Sequence, residues 1–472
     1  MSAATFMTTQ AGSIGWKGSN YVIPVEVKAT ETLLLFAGIA GRLVEVPGAY
    51  RAEADRLLSN PNRAKSLRQT ALHKIFREQG IIVPETFDEF DYLRERHAQS
   101  KYLPSQNLGL TICPTLNCNF RCTYCYQRHP AGLMGQNIQD KIIAYIENSR
   151  PKVKKLHVTW FGGEPLLGLP IIERLTERFL SLPVDYSASI ITNGSQLSPK
   201  TSRKLRCLKI SWAQVTLDGP RDIHDVRRPE VGGNPTFDKI LTNIAAIAND
   251  FSISVRVNVD RRNFHSLHRL LDQLDAAGLR GRISLYFAPV AAYTEVCADV
   301  RQNCIEGRSW ACLQTQLLLT AQERGYTAAG LPVARVNVCL ADRASDLVVV
   351  PSGKVFKCWN DVTDPSRAIF DFGAMSRTAQ MKKALSTWLD WGPFNYPDCR
   401  ICPVLPLCMG GCPYESLKNG RGSCKELKHN IKESILLYYL NHKRKQASEQ
   451  LMDRIDRWAR FARDLARQGK RP

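Results

Sequence analysis

"LNCNFRCTYCYQ", residues 116–127, puts Cys118, Cys122 and Cys125 within eight positions of a 472-residue chain that holds 15 cysteines. The spacing C-x3-C-x2-C supplies three thiolates, and no histidine at finger spacing follows to complete a zinc site. An iron-sulfur cube held by three thiolates leaves one iron open to another ligand. The stretch also follows a predicted strand at 108–113. Further strands are expected at 156–160, 187–192, 210–217, 253–259 and 283–287, with helical patterns between them near 137–150, 170–180, 198–206, 236–249 and 263–277. Six strands joined by crossover helices predict an α/β fold whose parallel sheet curves into a partial (β/α)6 TIM-like barrel.

In that geometry function collects at the carboxyl ends of the strands. The polar motifs fall there. The cysteine cluster follows the first strand, "FGGEP" (161–165) the second and "TNG" (192–194) the third; the fourth ends in "TLDGP" (216–220) and the fifth in "RVNVD" (256–260). Five loops therefore converge on one mouth.

Composition bounds the rest. The length predicts two to four domains. The first ten residues, MSAATFMTTQ, lack the basic and apolar regions of a signal peptide, and the longest apolar runs are too short to span a bilayer. The expectation is a soluble, cytoplasmic protein with no membrane partner, in a reducing compartment where clustered thiols bind metal. The net charge is +20, from 64 basic and 44 acidic residues. Nucleic acid and an acidic peptide are both compatible with it.

Residues 1–100 read as an N-terminal α+β unit, with strands at 21–27, 33–36 and 42–46. A helix at 63–79 would carry Leu67, Ala71, Leu72, Ile75 and Phe76 on one face, capped by Gly80. "PETFDEFDYLRER" leads out as a linker or helix. The barrel takes 101–324. Residues 325–424 show little periodicity but hold seven cysteines, a loop-rich segment expected to need metal to fold. A basic helical tail, 425–472, carries Leu451, Ile455, Trp458, Ala462 and Leu465 at helical spacing, read as packing against the body.

The triad at its strand end resembles that of radical S-adenosylmethionine enzymes. The resemblance implies a [4Fe-4S] cluster on Cys118, Cys122 and Cys125, with S-adenosylmethionine chelating the fourth iron. It also implies that Tyr124 lies against the adenine and that Gly162, Gly163 and Glu164 receive the methionyl amino group. The glycines permit close backbone approach and the carboxylate suits an ammonium. Asn193, Asp218 and Asn258 stand where the family supplies ribose contacts, although an Asp-Gly turn accounts equally for Asp218.

A second constellation runs Cys339, thirteen residues, Gly353, four residues, Cys358; then Cys399, Cys402, Cys408 and Cys412, and finally Cys424. A zinc ribbon needs four of these, not seven. The order, down to "CMGGCP" (408–413), resembles the seven-cysteine SPASM extension. By that resemblance Cys399, Cys402, Cys408 and Cys424 bind one auxiliary [4Fe-4S] cluster and Cys339, Cys358 and Cys412 another, three clusters in all. The three-cysteine set either borrows Cys297, Cys304 or Cys312 or stays open to substrate. Otherwise those three, with Cys113 and Cys207, are small buried hydrophobes.

The family's chemistry is reductive cleavage of S-adenosylmethionine to a radical that takes hydrogen from an unactivated carbon, with electrons from a flavodoxin or ferredoxin. The N-terminal unit resembles the peptide-recognition element of enzymes that mature ribosomally made peptides. The leading expectation is a peptide maturase acting on a precursor whose leader, acidic in charge, adds to a sheet edge, and installing a C-C or C-S (thioether) crosslink. The alternative is an anaerobic sulfatase-maturating enzyme that forms formylglycine. That family places Asp directly after the cysteine matching Cys358, whereas here Trp359 and Asn360 precede Asp361. A basic zinc-bearing nucleic-acid binder would leave "GGEP" unexplained.

Overall fold

The computed structural model of the chain describes residues 15–63, 67–102, 106–149, 153–328 and 330–442. The tail stripe from Leu451 to Leu465 and the side chain of Leu67 lie outside the described residues.

Strands β1 (Trp16–Gly18), β2 (Val22–Val27), β3 (Thr32–Ala37), β4 (Arg42–Val46) and β5 (Ile82–Pro84) come first. They are followed by β6 (Asn107–Ile112), β7 (Lys155–Trp160), β8 (Asp185–Thr192), β9 (Ile210–Thr216), β10 (Ser252–Val259) and β11 (Ser284–Pro289). Strands β6 to β11 lie in chain order and run parallel, the six expected. The helices Gln136–Asn148, Leu169–Leu180, Pro199–Cys207, Phe237–Ile247 and Leu267–Ala276 return the chain between them. Each is held by an apolar stripe at helical spacing, such as Leu267, Leu270, Leu271 and Leu274, all buried. Helix Arg221–Arg227 was not foreseen, because what it buries is His224 and Arg227.

Residues 325–424 are rich in loops, as expected, but three short strands join them to the barrel. β12 (Leu347–Val349) pairs parallel to β6, and β13 (Lys354–Phe356) and β14 (Phe370–Asp371) follow antiparallel, so the barrel sheet has nine strands. Strands of two or three residues are too short to leave a period in the sequence. Cys358, two residues beyond β13, is thereby fixed to the barrel sheet.

β2, β3 and β4 form the expected antiparallel sheet, and β1 and β5 add a two-stranded ribbon. Every residue of β3 is buried, because both faces are covered. On one face Leu33, Leu35 and Val44 meet Ala54 and Leu57 of helix Arg51–Ser59 and Phe76 of helix Leu67–Gln79. On the other, Ile23, Val25, Leu34 and Phe36 meet Val404, Leu407, Ile431 and Ile435. The helix Leu67–Gln79 departs from expectation: Phe76 is buried and Leu72 half-buried, but Ala71 and Ile75 are exposed. Gly80 (φ +76) follows its end, as foreseen.

The N-terminal unit therefore shares a core with the cysteine-rich segment and with helix Leu427–His442. That helix kinks at Asn430, whose Nδ2 donates to the Ala311 carbonyl, Gln314 and Thr315 on helix Gly307–Glu323. "PETFDEFDYLRER" runs into the helix Glu89–Tyr102, which braces the two regions. Glu89 accepts from Ser19 Oγ and Asn20 N at its start, and His97 and Lys101 meet Asp342 near its end.

Candidate active site at the barrel mouth

A cavity of about 550 Å³ opens at the carboxyl ends of β6 to β11. Its lining includes Cys118, Cys122 and Cys125 and, from the cysteine-rich segment, Cys339, Cys358, Cys408 and Cys412. The two cysteine sets, more than 200 positions apart in sequence, face the same space.

The loop after β6 is shaped by its own polar groups. Asn117 N donates to Thr115 Oγ1, Cys118 N to Asn117 Oδ1, and Phe120 N to Cys118 Sγ at 3.4 Å. Burial pushes the Cys118 thiol up to about 12 and Cys125 to about 11, opposed by the positive charge of Arg228. A cationic neighbour and a bound metal both favour the thiolate. Arg228 is nine-tenths buried, lies over the Phe120 ring and donates to Tyr124 Oη at 2.7 Å; its Nε has no partner among the described residues.

The expected glycine cradle is present. Gly162 has φ +132, and a Cβ there would lie 2.1 Å from the Thr115 carbonyl; one on Gly163 would lie 2.2 Å from the Asn117 carbonyl. Only glycine lets this loop press against the cysteine loop. Gly162, Gly163, Asn193, Asn258 and Tyr124 all line the cavity.

Glu164 and Asp218 do not line it. Glu164 is fully buried: Oε1 accepts from Leu166 N and Thr192 Oγ1, and Oε2 from Asn193 N at 2.7 Å. Burial still holds its carboxyl above the usual range. It therefore fixes the loop that presents Asn193. Asp218 is likewise buried. It accepts from Tyr124 Oη and from Asn258 N, at 2.8 Å for the latter, so it stands behind the tyrosine that meets the cavity.

The seven C-terminal cysteines sort in space into two groups. Burial, and after it the charges of Cys408, Cys424 and Cys402, push the Cys399 thiol up to about 12. Cys339 and Cys412 act likewise on Cys358. The first group lies beneath the N-terminal sheet, with Tyr21 near Cys402 and Lys428 Nζ donating to Cys424 Sγ at 3.4 Å. Among the described residues no three His, Cys, Asp or Glu side chains converge on a single-ion position.

The three cysteines that were one alternative for completing the second group have other neighbours. Cys297 and Cys304 pack beside Tyr124 and Tyr126, next to Cys125, while Cys312 faces Glu433 on helix Leu427–His442. Cys113 is a buried apolar residue as expected; Cys207 is exposed, because the helix Pro199–Cys207 turns Ser202 and Leu205 inward instead. Missed by the sequence reading are Arg228, Arg256, Tyr126, Tyr293 and Trp359, all on the cavity wall. Tyr126 touches the fields of both Cys125 and Cys358 and packs edge-on against Tyr293, 6.0 Å between centroids.

Comparison with known proteins agrees with this geometry. The Radical SAM superfamily pattern matches residues 112–274. A serine-type anaerobic sulfatase-maturating enzyme of Klebsiella aerogenes is 26% identical over 323 residues, 63% of this chain and 77% of that protein. The radical SAM cyclopropyl synthase TigE of Paramaledivibacter caminithermalis is 27% identical over 239 residues, 44% and 49% respectively. Among solved structures, native anSMEcpe with bound AdoMet and Kp18Cys peptide superposes with a TM-score of 0.55 at 17% identity, covering 74% of this chain and 99% of that one. Among the described residues no helix is long and apolar enough to cross a membrane. The triad at the end of β6, the glycine cradle after β7 and the matched family pattern make residues 112–274 a radical SAM domain, in a chain related to maturating enzymes.

Proposed function

We propose that the chain is a radical SAM peptide maturase that oxidises a ribosomally made precursor, forming a C-C or thioether crosslink. The observation that carries the reading is the single cavity shared by the Cys118 set and the Cys339 set. Bound S-adenosylmethionine, with a [4Fe-4S] cluster on Cys118, Cys122 and Cys125, supplies a hydrogen-abstracting radical. The chain's own part is position and charge. Tyr124, pinned by Asp218, Arg228 and Asn258, offers a fixed aromatic face, and the Gly162–Gly163 backbone offers carbonyls. Phe161, Trp359, Tyr126 and Tyr293 line the middle of the cavity and exclude water from a substrate side chain.

The two C-terminal groups, Cys399, Cys402, Cys408 and Cys424, and Cys339, Cys358 and Cys412, are assigned to two auxiliary [4Fe-4S] clusters that receive electrons from the substrate, with a flavodoxin or ferredoxin as donor to the first cluster. Cys339, Cys358 and Cys412 would hold the second through three thiolates. Residues 1–100 are assigned to leader recognition by strand addition. Pro24 leaves edge strand β2 short of a donor, so β4 is the better edge. A chain of net charge +20 suits an acidic leader.

Formylglycine formation is the second reading, favoured by the sulfatase-maturating relatives. Asp361 weighs against it: its Oδ1 accepts from Arg367 Nε, away from the cavity. The test is anaerobic reaction of the reconstituted enzyme with the short peptide encoded beside its gene. A crosslink removes two hydrogens, keeps every heavy atom and gives no aldehyde; formylglycine from cysteine exchanges sulfur for oxygen, and formylglycine from serine also removes two hydrogens but leaves an aldehyde that a hydrazine reagent captures. Absence of 5′-deoxyadenosine from the reduced enzyme would overturn both readings.

A further inference from the structure

A polar shelf crosses three adjacent strands inside the barrel. Arg256 on β10 is in register with Thr216 on β9 and Tyr286 on β11, and Gln214 stands one pleat below Thr216. All four line the cavity. Barrel interiors are ordinarily filled by branched apolar side chains. A polar row facing open space is instead the pattern of a ligand site.

Two contacts fix the plane of Arg256. Nε donates to Asn258 Oδ1 at 2.7 Å, and the guanidinium lies over the Tyr286 ring, 5.4 Å from its centroid. Among the described residues neither Nη makes a hydrogen bond or an ion pair, and the Gln214 amide has no partner either. Of the other cations that line the cavity, Arg335 is exposed and its guanidinium has no partner among the described residues, while three are committed. Arg228 donates to Tyr124, Lys357 to the Asp346 carbonyl at 2.6 Å, and Lys425 pairs with Glu415 at 2.5 Å. The charge of Arg256 reaches Tyr126 and Tyr293, so it looks into the space between the two cysteine sets. β11 ends the sheet and Tyr286 is 47% exposed, which leaves an approach from that edge.

An oriented, unpaired guanidinium fork is a carboxylate receptor. We propose that Arg256, with Gln214 beside it, binds a carboxylate of the peptide substrate and so sets which residue is presented for hydrogen abstraction. The carboxylate belongs either to an Asp or Glu side chain or to the peptide's own C-terminus. The proposal rests on the peptide-maturase reading and adds to it a chemical requirement on the substrate.

The test uses the reconstituted holoenzyme under anaerobic conditions. Capped hexapeptides carrying Asp, Glu, Asn or Gln at one position, each with a free and an amidated C-terminus, compete against a fluorescein-labelled acidic member of the set. Wild type is expected to bind the carboxylate-bearing peptides about 10-fold more tightly than their amides, the size of one charge-assisted hydrogen bond. Loss of tight binding on Asp→Asn assigns the side chain; loss on amidation assigns the C-terminus; either supports the proposal. Arg256→Gln should abolish the preference and Arg256→Lys retain part of it, with iron content measured alongside. The wild-type comparison requires no variant to fold. Peptide binding without carboxylate preference, or a preference that survives in Arg256→Gln, overturns the proposal and leaves the maturase reading standing. Weaker S-adenosylmethionine binding in Arg256→Gln with unchanged peptide preference places the cofactor's own carboxylate there, and also overturns it. Binding of none of the peptides overturns the proposal and leaves the maturase reading to its own test, product formation on the leader-bearing precursor.

Discussion

His97 Nε2 lies 3.0 Å from both carboxylate oxygens of Asp342, joining the helix Glu89–Tyr102 to the loop that carries Cys339. Lys101 Nζ shares the carboxylate at 3.4 Å, and the three side chains are almost wholly buried. The same loop is tied from the other side by Lys357, the residue before Cys358. Removing one partner of a buried ionic group strands the others. Asp342→Ala should therefore cost about 3–5 kcal/mol, because Lys101 loses its counter-charge in a dry site. Thermal unfolding and iron content of the variant check this. A wild-type unfolding temperature would show the cluster to be dispensable.

The glycine cradle makes a sharper demand. Gly163→Ala places a Cβ 2.2 Å from the Asn117 carbonyl and 2.4 Å from that of Leu116, so the cysteine loop has to move. Affinity for S-adenosylmethionine should fall by at least about 10-fold while secondary structure is kept. Anaerobic calorimetric titration, with circular dichroism as the companion measurement, decides it.

Iron analysis separates ligands from bystanders. With three cubane clusters the wild type should hold about 12 iron atoms per chain, and the triple replacement of Cys118, Cys122 and Cys125 by Ala about 8. Cys297→Ala, Cys304→Ala and Cys312→Ala should keep the wild-type content, since Cys297 and Cys304 pack with Tyr124 and Tyr126 and Cys312 faces Glu433. Loss of iron in any of those three singles would place a fourth ligand where the structure does not.

Asp361 predicts a pH dependence. Burial pushes its carboxyl up to about 6, and Oδ2 has no hydrogen-bond partner among the described residues. The folded state therefore binds this proton more tightly than the unfolded chain, whose carboxyl titrates near the ordinary value. Stability contributed by the protonated form falls as pH rises through about 6, by an amount of order 2–3 kcal/mol. Asp361→Asn should flatten the unfolding temperature between about pH 4 and 6, the interval from the ordinary carboxyl value to the raised one. An unchanged pH slope in that variant would remove Asp361 as its source.

Tyr124 is held at its hydroxyl by three side chains, those of Asp218, Arg228 and Asn258. Tyr124→Phe keeps the ring but leaves buried polar groups unpaired, at about 1–3 kcal/mol. Both the unfolding temperature and the S-adenosylmethionine affinity should drop. Affinity unchanged alongside lowered stability would confine the hydroxyl to a structural part.

Much of this was legible because it is local. Each barrel strand is a short β-branched or apolar run followed by a polar loop, so residues 108–287 could be parsed without tertiary information. The three cysteines of 116–127 and the GGEP glycines carry their chemistry in their spacing. The boundaries of β10 and of the helix Leu267–Ala276 differ from expectation by only a few residues.

What the linear chain concealed is set by contacts between distant segments. The alternation of strand and helix, and the convergence of five polar loops on one mouth, are properties of the sequence alone, because a right-handed crossover allows few other arrangements. Tertiary structure alone decided that Glu164 and Asp218 turn away from the mouth to hold Asn193 and Tyr124, since buried carboxylates bind whichever N–H and O–H groups the neighbouring strands supply. It also decided that Cys297 and Cys304 join the Cys125 side, and that three-residue strands weld the cysteine-rich segment to the barrel sheet. A thiol's partner is fixed by the folded path of the chain, which no spacing records.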